Sequence, residues 1–366
     1  MKKIIFFMPN IQRGGIEKNL ILLSNYFINK KYPVEIYFTE ISKEVKSQIN
    51  FKAKLIKSKK FVKIGSNNRM INSINCGISA LLNLKKRKKN IIISMQDHPI
   101  SIIIGKIKGI KCAIRISNHP EASLKFFNSF LKFKLKLFIK IFFYKFSDTI
   151  ICNSLESKKF LNKYINKKKI YFINNPVVLK KNKIQKKNKI IVAIGRIENQ
   201  KNFLGIIKAF IIADKIIKNY KLLIIGSGSK KNQLISFVKK KYLFKKIKFL
   251  KFSKPDKYLS SSSLFILNSF FEGSPNILLE ALNYKLPIIA TDCKSGPSEI
   301  LANGKFGYLV PVNNHKRLAK KIIAVLKNYE KAKKKSELGF NSLQRFNVEQ
   351  QCSKYNFLIN KTINYS

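Results

Sequence analysis

Acidic residues are scarce: 18 Asp and Glu stand against 74 Lys and Arg in 366 residues, a formal net charge of +56. Arginine is scarce as well, with seven in the chain, so lysine exceeds it roughly tenfold. Base and phosphate recognition favours the arginine fork, which argues against a specific nucleic-acid partner. The lysines are spread through every segment among isoleucine and asparagine, as an AT-rich coding bias would leave them. Most of the charge is therefore read as mutational bias. The remainder is attraction to an anionic surface, lipid headgroups or a phosphorylated substrate, with non-specific nucleic-acid adhesion in vitro.

Other absences narrow the class. The five cysteines (Cys76, Cys112, Cys152, Cys293, Cys352) are dispersed, odd in number and without a C-x-x-C pair, so no disulfide framework is expected. No run of about 18 uncharged apolar residues exists, and no membrane span is expected. The apolar run in MKKIIFFMPN is too short for a signal peptide and reads as a first strand, which makes the cytoplasm the expected compartment. There is no D-x-D, no H-E-x-x-H and no cysteine cluster, so neither a metal nor another cofactor is expected.

What is present is an alternation of strand-like and helix-like segments, which predicts α/β layering with parallel sheets. In the first half the apolar runs are Lys3–Met8, Val34–Thr39, Ile91–Met95, Lys111–Ile116 and Thr149–Cys152, with a helical pattern over Ile16–Asn29 and a cap at Asn153-Ser154. Residues 180–189 (KKNKIQKKNK) shift in composition and read as a linker. A second set follows: Ile190–Ile194, Leu222–Ile225, Leu264–Leu267, Pro287–Ala290 and Tyr308–Val310. The expected organisation is a Rossmann-like domain over 1–179, the linker, a second such domain over 190–345, and a terminal helix over 346–366. Ligands of such sheets sit at the carboxyl ends of strands.

Three clusters fall at those ends. Gly14 and Gly15 lie between a strand and a helix, where missing β-carbons admit close backbone approach and the helix end offers N–H groups. The structural alternative is a tight turn with Glu17 complementing the helix dipole. Arg196 and Lys201 flank the start of a helix beyond a buried strand and suit a diphosphate. The third segment, Ser269 to Glu280, places two of the rare carboxylates, Glu272 and Glu280, with seven residues between them. Ser274-Pro275 reads as a cap and a first-turn proline, which puts Glu272 in the loop and Glu280 on the helix. Carboxylates accept from paired vicinal hydroxyls, and the loop N–H groups of Gly273, Ser274 and Asn276 add donors. The plainer alternative is two glutamates satisfying helix-end amides.

The motifs G-R-x-x-x-x-K-N from Gly195, E-G-S-P-N-x-x-x-E-A-L from Glu272, S-G-P-S-E-I from Ser295 and N-G-x-x-G-Y-L-V-P from Asn303 resemble the C-terminal half of family-4 retaining glycosyltransferases. G-G-I-E-K-N-L from Gly14 resembles that family's opening loop, and FNVEQQ from Phe346 resembles its terminal helix, so the likeness spans the chain. The resemblance implies a GT-B fold, two Rossmann-like domains facing each other across a cleft, with the last helix crossing back. It implies a metal-independent hexosyltransferase taking a nucleotide-sugar, with UDP as nucleotide, to a lipid-linked, lipopolysaccharide or capsule glycan at the inner face of a bacterial membrane. Arg196 and Lys201 would grip the diphosphate, Glu272 the transferred sugar, Glu280 the ribose, and Gly15 the phosphates. The family's N-domain histidine corresponds best to His119, with His98 as competitor, and Arg115 is a candidate for an anionic acceptor group. Two other readings are an epimerase or phosphorylase on the same scaffold, and a basic nucleic-acid- or membrane-binding protein. The basic binding protein does not account for the placement of Glu272 and Glu280, and an epimerase would want extra catalytic carboxylates in a chain with few acids to spare.

The stretch 124–146 (LKFFNSFLKFKLKLFIKIFFYKF) stands apart. Read as one helix, it gathers Lys125, Lys132, Lys136 and Lys140 within about 80° and leaves the rest to Phe, Leu and Ile. It is expected to touch an anionic membrane surface. The structural alternative is a core helix with a solvated lysine stripe.

Overall fold

The computed structural model describes residues 2–62, 69–179, 188–251 and 255–364. The chain divides into two units, Met1–Pro176 with Val348–Ser366, and Val177–Asn347. Residues 180–187 of the expected linker lie outside the described residues.

The first unit carries β1 (Ile4–Phe7), β2 (Asn10–Ile11), β3 (Val34–Phe38), β4 (Glu40–Ile41), β5 (Lys54–Lys57), β6 (Ile91–Ser94), β7 (Lys111–Ile116), β8 (Thr149–Cys152) and β9 (Ile170–Phe172). Seven of these form one parallel sheet in the order β5-β3-β1-β6-β7-β8-β9, and β2 and β4 form a short parallel ribbon. Ile4 stands opposite Val34 on one side and Ile91 on the other. Alternation along β1 sends Ile4 and Phe6 into one core and Ile5 and Phe7 into another, so both faces are covered and the strand reads as a continuous apolar run. Helix Gly15–Asn29 buries Leu20, Leu23, Ser24 and Phe27, one stripe at helical spacing. The final helix, Val348–Asn364, returns to this unit and places Cys352, Tyr355, Leu358 and Ile359 in the first core.

The second unit repeats the plan with β10 (Ile190–Ile194), β11 (Lys221–Ile225), β12 (Ile247–Leu250), β13 (Leu264–Leu267), β14 (Ile288–Thr291) and β15 (Tyr308–Val310), in the order β12-β11-β10-β13-β14-β15. In each sheet the first strand is central, and the strand order reverses beside it: between β1 and β6, and between β10 and β13. That reversal opens a crevice at the carboxyl edge where ligands of such sheets bind.

One expectation is corrected. The stretch 124–146 is not one helix but two, Pro120–Phe127 and Phe130–Lys145. Asn128 is extended (φ −135°, ψ 150°), and its side chain donates to the Leu124 carbonyl at 2.8 Å, closing off the first helix. Lys125 therefore shares no helix with Lys132, Lys136 and Lys140, and Lys140 turns inward to Asp97 at 2.6 Å. The single lysine stripe does not exist.

Candidate functional site

At the second reversal the chain leaves β10 through Gly195 and Arg196. A β-carbon at Gly226, whose φ is +156°, would stand 1.9 Å from the Gly195 carbonyl oxygen, so only glycine lets these two strand ends touch. Ile197 then donates to the Ser227 carbonyl at 2.9 Å, and Glu198 accepts from the Ser229 amide at 2.8 Å and hydroxyl at 2.6 Å. Burial alone would raise the Glu198 carboxyl, but the two Ser229 hydrogen bonds and the Arg196 charge bring it below the usual carboxylate value. The Arg196 side chain is exposed at this edge.

Lys201 ends a short 3-10 turn, and Asn202, at φ +44°, caps the next helix through its side chain on the Gly205 amide at 3.1 Å. The loop after β13 lies against this turn. Gln200 accepts from the Phe270 amide at 2.9 Å and donates to the Phe271 carbonyl at 2.9 Å, and Thr291 donates to the Ser269 carbonyl at 2.7 Å. These bonds fix Glu272, whose Oε1 takes both the Lys201 ammonium and the Ser269 hydroxyl, the latter at 2.6 Å. The ion pair is largely buried, with side-chain exposures of 15% and 7%. Among the described residues no donor reaches Glu272 Oε2. One carboxylate oxygen is thus held by the protein, and the other is not. Cys293 adjoins this carboxylate, and burial first, then the Glu272 charge, pushes its thiol far up, so it stays protonated.

The following helix is Asn276–Asn283, with Pro275 at its N-cap position, one residue later than the sequence reading put the cap. Gly296, at φ +86°, passes so close that a β-carbon there would lie 2.5 Å from the Gly273 oxygen. Glu280 is half-buried on the helix, while Leu278, Leu279, Ala281 and Leu282 face the core.

In the first unit Gly14 is the N-cap of helix Gly15–Asn29 with extended backbone, and Glu17 in the first turn accepts weakly from Gln12 at 3.4 Å. The two histidines occupy matching positions, each the N-cap of a helix whose first residue is proline: His98-Pro99 after β6 and His119-Pro120 after β7. The His119 ring is 3% exposed and lies 5.2 Å from Phe160, and its Nδ1 accepts from the Ala122 amide at 3.2 Å. His98 is half-buried at the strand-order reversal, edge-on to Phe7, with Nε2 3.2 Å from Gln96 Oε1. Burial, with the Lys140 charge beside it, holds its imidazole below the ordinary value of 6.5 against the opposing pull of Asp97. Arg115 is 1% exposed. Its guanidinium donates to the Tyr355 hydroxyl at 3.2 Å, Ser117 at 2.9 Å and Asn175 at 2.5 Å, tying the last helix to β7.

Sequence reasoning gave no role to Ser269, Gln200 or Asp97. Ser269 and Gln200 lie inside or beside quoted motifs, but only the fold shows which of them bond to Glu272's loop. Asp97 had one signal, an acid at a strand end in an acid-poor chain. Its carboxylate accepts from Lys140 and Tyr144. Burial would raise it, yet those two partners bring it down to about 2. No cluster of three or more His, Cys, Asp or Glu with metal-binding geometry occurs among the described residues.

The family model for glycosyl transferases group 1 matches residues 175–341. Over 332 residues, 76% of this chain and 81% of the relative, the sequence is 29% identical to an uncharacterized glycosyltransferase of Methanocaldococcus jannaschii. Over 362 residues, 94% of each chain, it is 28% identical to the GalNAc-alpha-(1->4)-GalNAc-alpha-(1->3)-diNAcBac-PP-undecaprenol alpha-1,4-N-acetyl-D-galactosaminyltransferase of Campylobacter jejuni. The fold superposes on HepE of Anabaena in complex with UDP and glucose with a TM-score of 0.81, covering 99% of this chain and 100% of that one at 15% identity. Residues 175–341 thus match the glycosyl transferases group 1 family, and the chain has the fold of the GT-B glycosyltransferases.

Proposed function

We propose that the protein is a metal-independent hexosyltransferase that moves a sugar from a UDP-sugar to a lipid-linked glycan, with retention, at the inner face of a bacterial membrane. The half-engaged Glu272 carboxylate carries this reading. Its Oε2 accepts from hydroxyls of the transferred sugar, while Lys201 on Oε1 holds the carboxylate in orientation. Arg196 takes the diphosphate by paired donors, with Lys201 close to the same turn, and together they offset the charge that builds on the leaving group. Glu280 accepts from the ribose hydroxyls, and the loop amides of Gly273, Ser274 and Asn276 serve the sugar or phosphate. In the reaction the bond from the anomeric carbon to the phosphate oxygen breaks, and the acceptor oxygen bonds to the same face. Its proton passes to the departing phosphate. As the resemblance implies, Gly14 and Gly15 of the first unit are assigned to the donor phosphates, and His119, with His98 as its alternative, to the catalytic step. UDP as the nucleotide rests on the ligand of HepE, and a polyprenyl-diphosphate acceptor rests on the name of the Campylobacter relative.

The test is release of nucleoside diphosphate from a panel of UDP- and GDP-sugars, in the presence of chelator. Turnover or slow donor hydrolysis by the wild type should fall about a hundredfold or more in Glu272→Gln, which removes charge-assisted hydrogen bonds while keeping the shape. Glu272→Ala should lose activity and also stability, because Lys201 is left without its partner. Silence across the panel, with no saturable donor binding by calorimetry, would sink the reading.

A further inference from the structure

The helix Phe130–Lys145 has two unlike sides. Ile141 and Tyr144 are buried in the core of the first unit, with Leu137 partly buried against it, and the Lys140–Asp97–Tyr144 contacts pin the same side to the turn after β6. The opposite side is exposed among the described residues. Leu131 is 79% exposed and Phe138 69%, and Leu135, Ile139 and Phe142 are exposed beside them. At about 100° per residue, with Phe130 at zero, these five fall in one arc from about 80° to about 180°. Lysines border that arc on both flanks: Lys134 and Lys145 at about 40° and 60°, Lys132 and Lys136 at about 200° and 240°. The helix contains no acid, and among the described residues none of these four lysines meets a carboxylate.

We infer that this face lays the protein on an anionic lipid bilayer, an inference that deepens the lipid-linked-acceptor reading by naming the surface that brings enzyme and acceptor together. An apolar row framed by two cationic rows matches the boundary between acyl chains and anionic headgroups, with phenylalanines below it and lysine stems reaching up. The helix spans 16 residues and is rich in lysine, so it lies in the interface and does not cross it. A protein partner with an acidic groove would need to match lysines on both sides of a flat apolar strip, whereas a bilayer presents that pattern everywhere. The packed inner side makes the face rigid, so little ordering accompanies docking.

Sedimentation of the full chain with vesicles decides it. At about 0.15 M salt the protein should pellet with phosphatidylcholine vesicles containing about 30% phosphatidylglycerol and bind pure phosphatidylcholine weakly. The double variant Phe138→Gln, Phe142→Gln keeps every charge and should partition about tenfold less or lower. Lys132→Gln with Lys136→Gln should weaken binding about fivefold per lysine, on anionic vesicles only. Phe244→Gln, at an exposed phenylalanine of the second unit, should change nothing. Wild-type protein left in the supernatant overturns the inference. So does a phenylalanine double variant that binds like wild type, since general basicity would then hold the protein. Pelleting without vesicles that the same variant abolishes assigns the face to a second copy instead. Nucleotide release from a soluble donor, measured in parallel, separates this outcome from the enzymatic one: release without vesicle binding leaves the transferase reading intact.

Discussion

The two units share one plan, a parallel sheet whose order reverses beside its first strand, yet their carboxyl edges are furnished differently. At the second unit's reversal stand an exposed arginine and a carboxylate with one oxygen held and the other left over. At the first unit's edge the ionic groups are engaged in holding the fold. Arg115 fastens the last helix, and Asp97 fastens the helix Phe130–Lys145. His98 and His119 stand at that edge as helix N-caps. On the same scaffold, then, the charged groups compared differ in whether their donors and acceptors are already satisfied.

The two arginines break or sharpen that contrast most strongly. Arg196→Ala should reduce nucleotide release by about 10²–10³ while leaving the melting temperature near wild type, because the side chain is exposed and its work is on the leaving group. Arg115→Met should do the reverse. It strands the Tyr355 hydroxyl in the interior and removes the bonds to Ser117 and Asn175, which costs about 2–4 kcal/mol. In a unit of this size that lowers the melting temperature by roughly 5–10 °C, with turnover per folded molecule within a few-fold of wild type. Thermal melts and single-donor kinetics on both variants check it. An Arg115→Met variant that melts normally and loses turnover would restore this residue to the acceptor site and erase the contrast.

Sheet strands and site motifs were legible because both rest on local pattern. Ile190–Ile194 and Leu264–Leu267 are apolar runs that only a doubly covered parallel strand needs, and Arg196, Glu272 and Glu280 stood out against a composition poor in their kind. Tertiary pairing was not legible. Lys201 was read with Arg196 as a diphosphate ligand, and only the fold pairs it with Glu272; Arg115 was read as a candidate for an anionic acceptor group. Its true partner, Tyr355, is 240 positions away, beyond the reach of any local pattern. The break at Asn128 was missed for a different reason. The apolar-and-lysine periodicity runs through it, and only an Asn-Ser pair marks the end of one helix and the cap of the next.

A smaller effect follows from Asp97. Its carboxyl sits near 2 in the folded protein and near 3.8 when unfolded, so the unfolded chain binds more protons between those values and stability rises with pH through that window. The contribution is fully present above about pH 4 and is lost as pH falls toward 2. Asp97→Asn should therefore lower stability by about 2 kcal/mol at pH 7 and by much less near pH 2.5, read from urea midpoints at the two values. An equal loss at both would mean that Lys140 and Tyr144 do not act through the charge, and the anchoring of the helix Phe130–Lys145 would rest on packing alone.

The smallest expected effect separates the two histidines. At His119 the ring serves as a helix cap through Nδ1, and His119→Ala should cost about 1 kcal/mol. His119→Asn supplies another acceptor at the same place and should recover most of that. If capping is the whole role, the asparagine variant turns over normally. His98 bonds no helix amide through its side chain, so His98→Asn has no cap to restore or remove. Loss of turnover in His119→Asn with stability retained would place that imidazole in the chemistry. Normal turnover there, together with loss in His98→Asn, would move the assignment to the histidine at the strand-order reversal, after β6, the strand that matches β13 of the second unit.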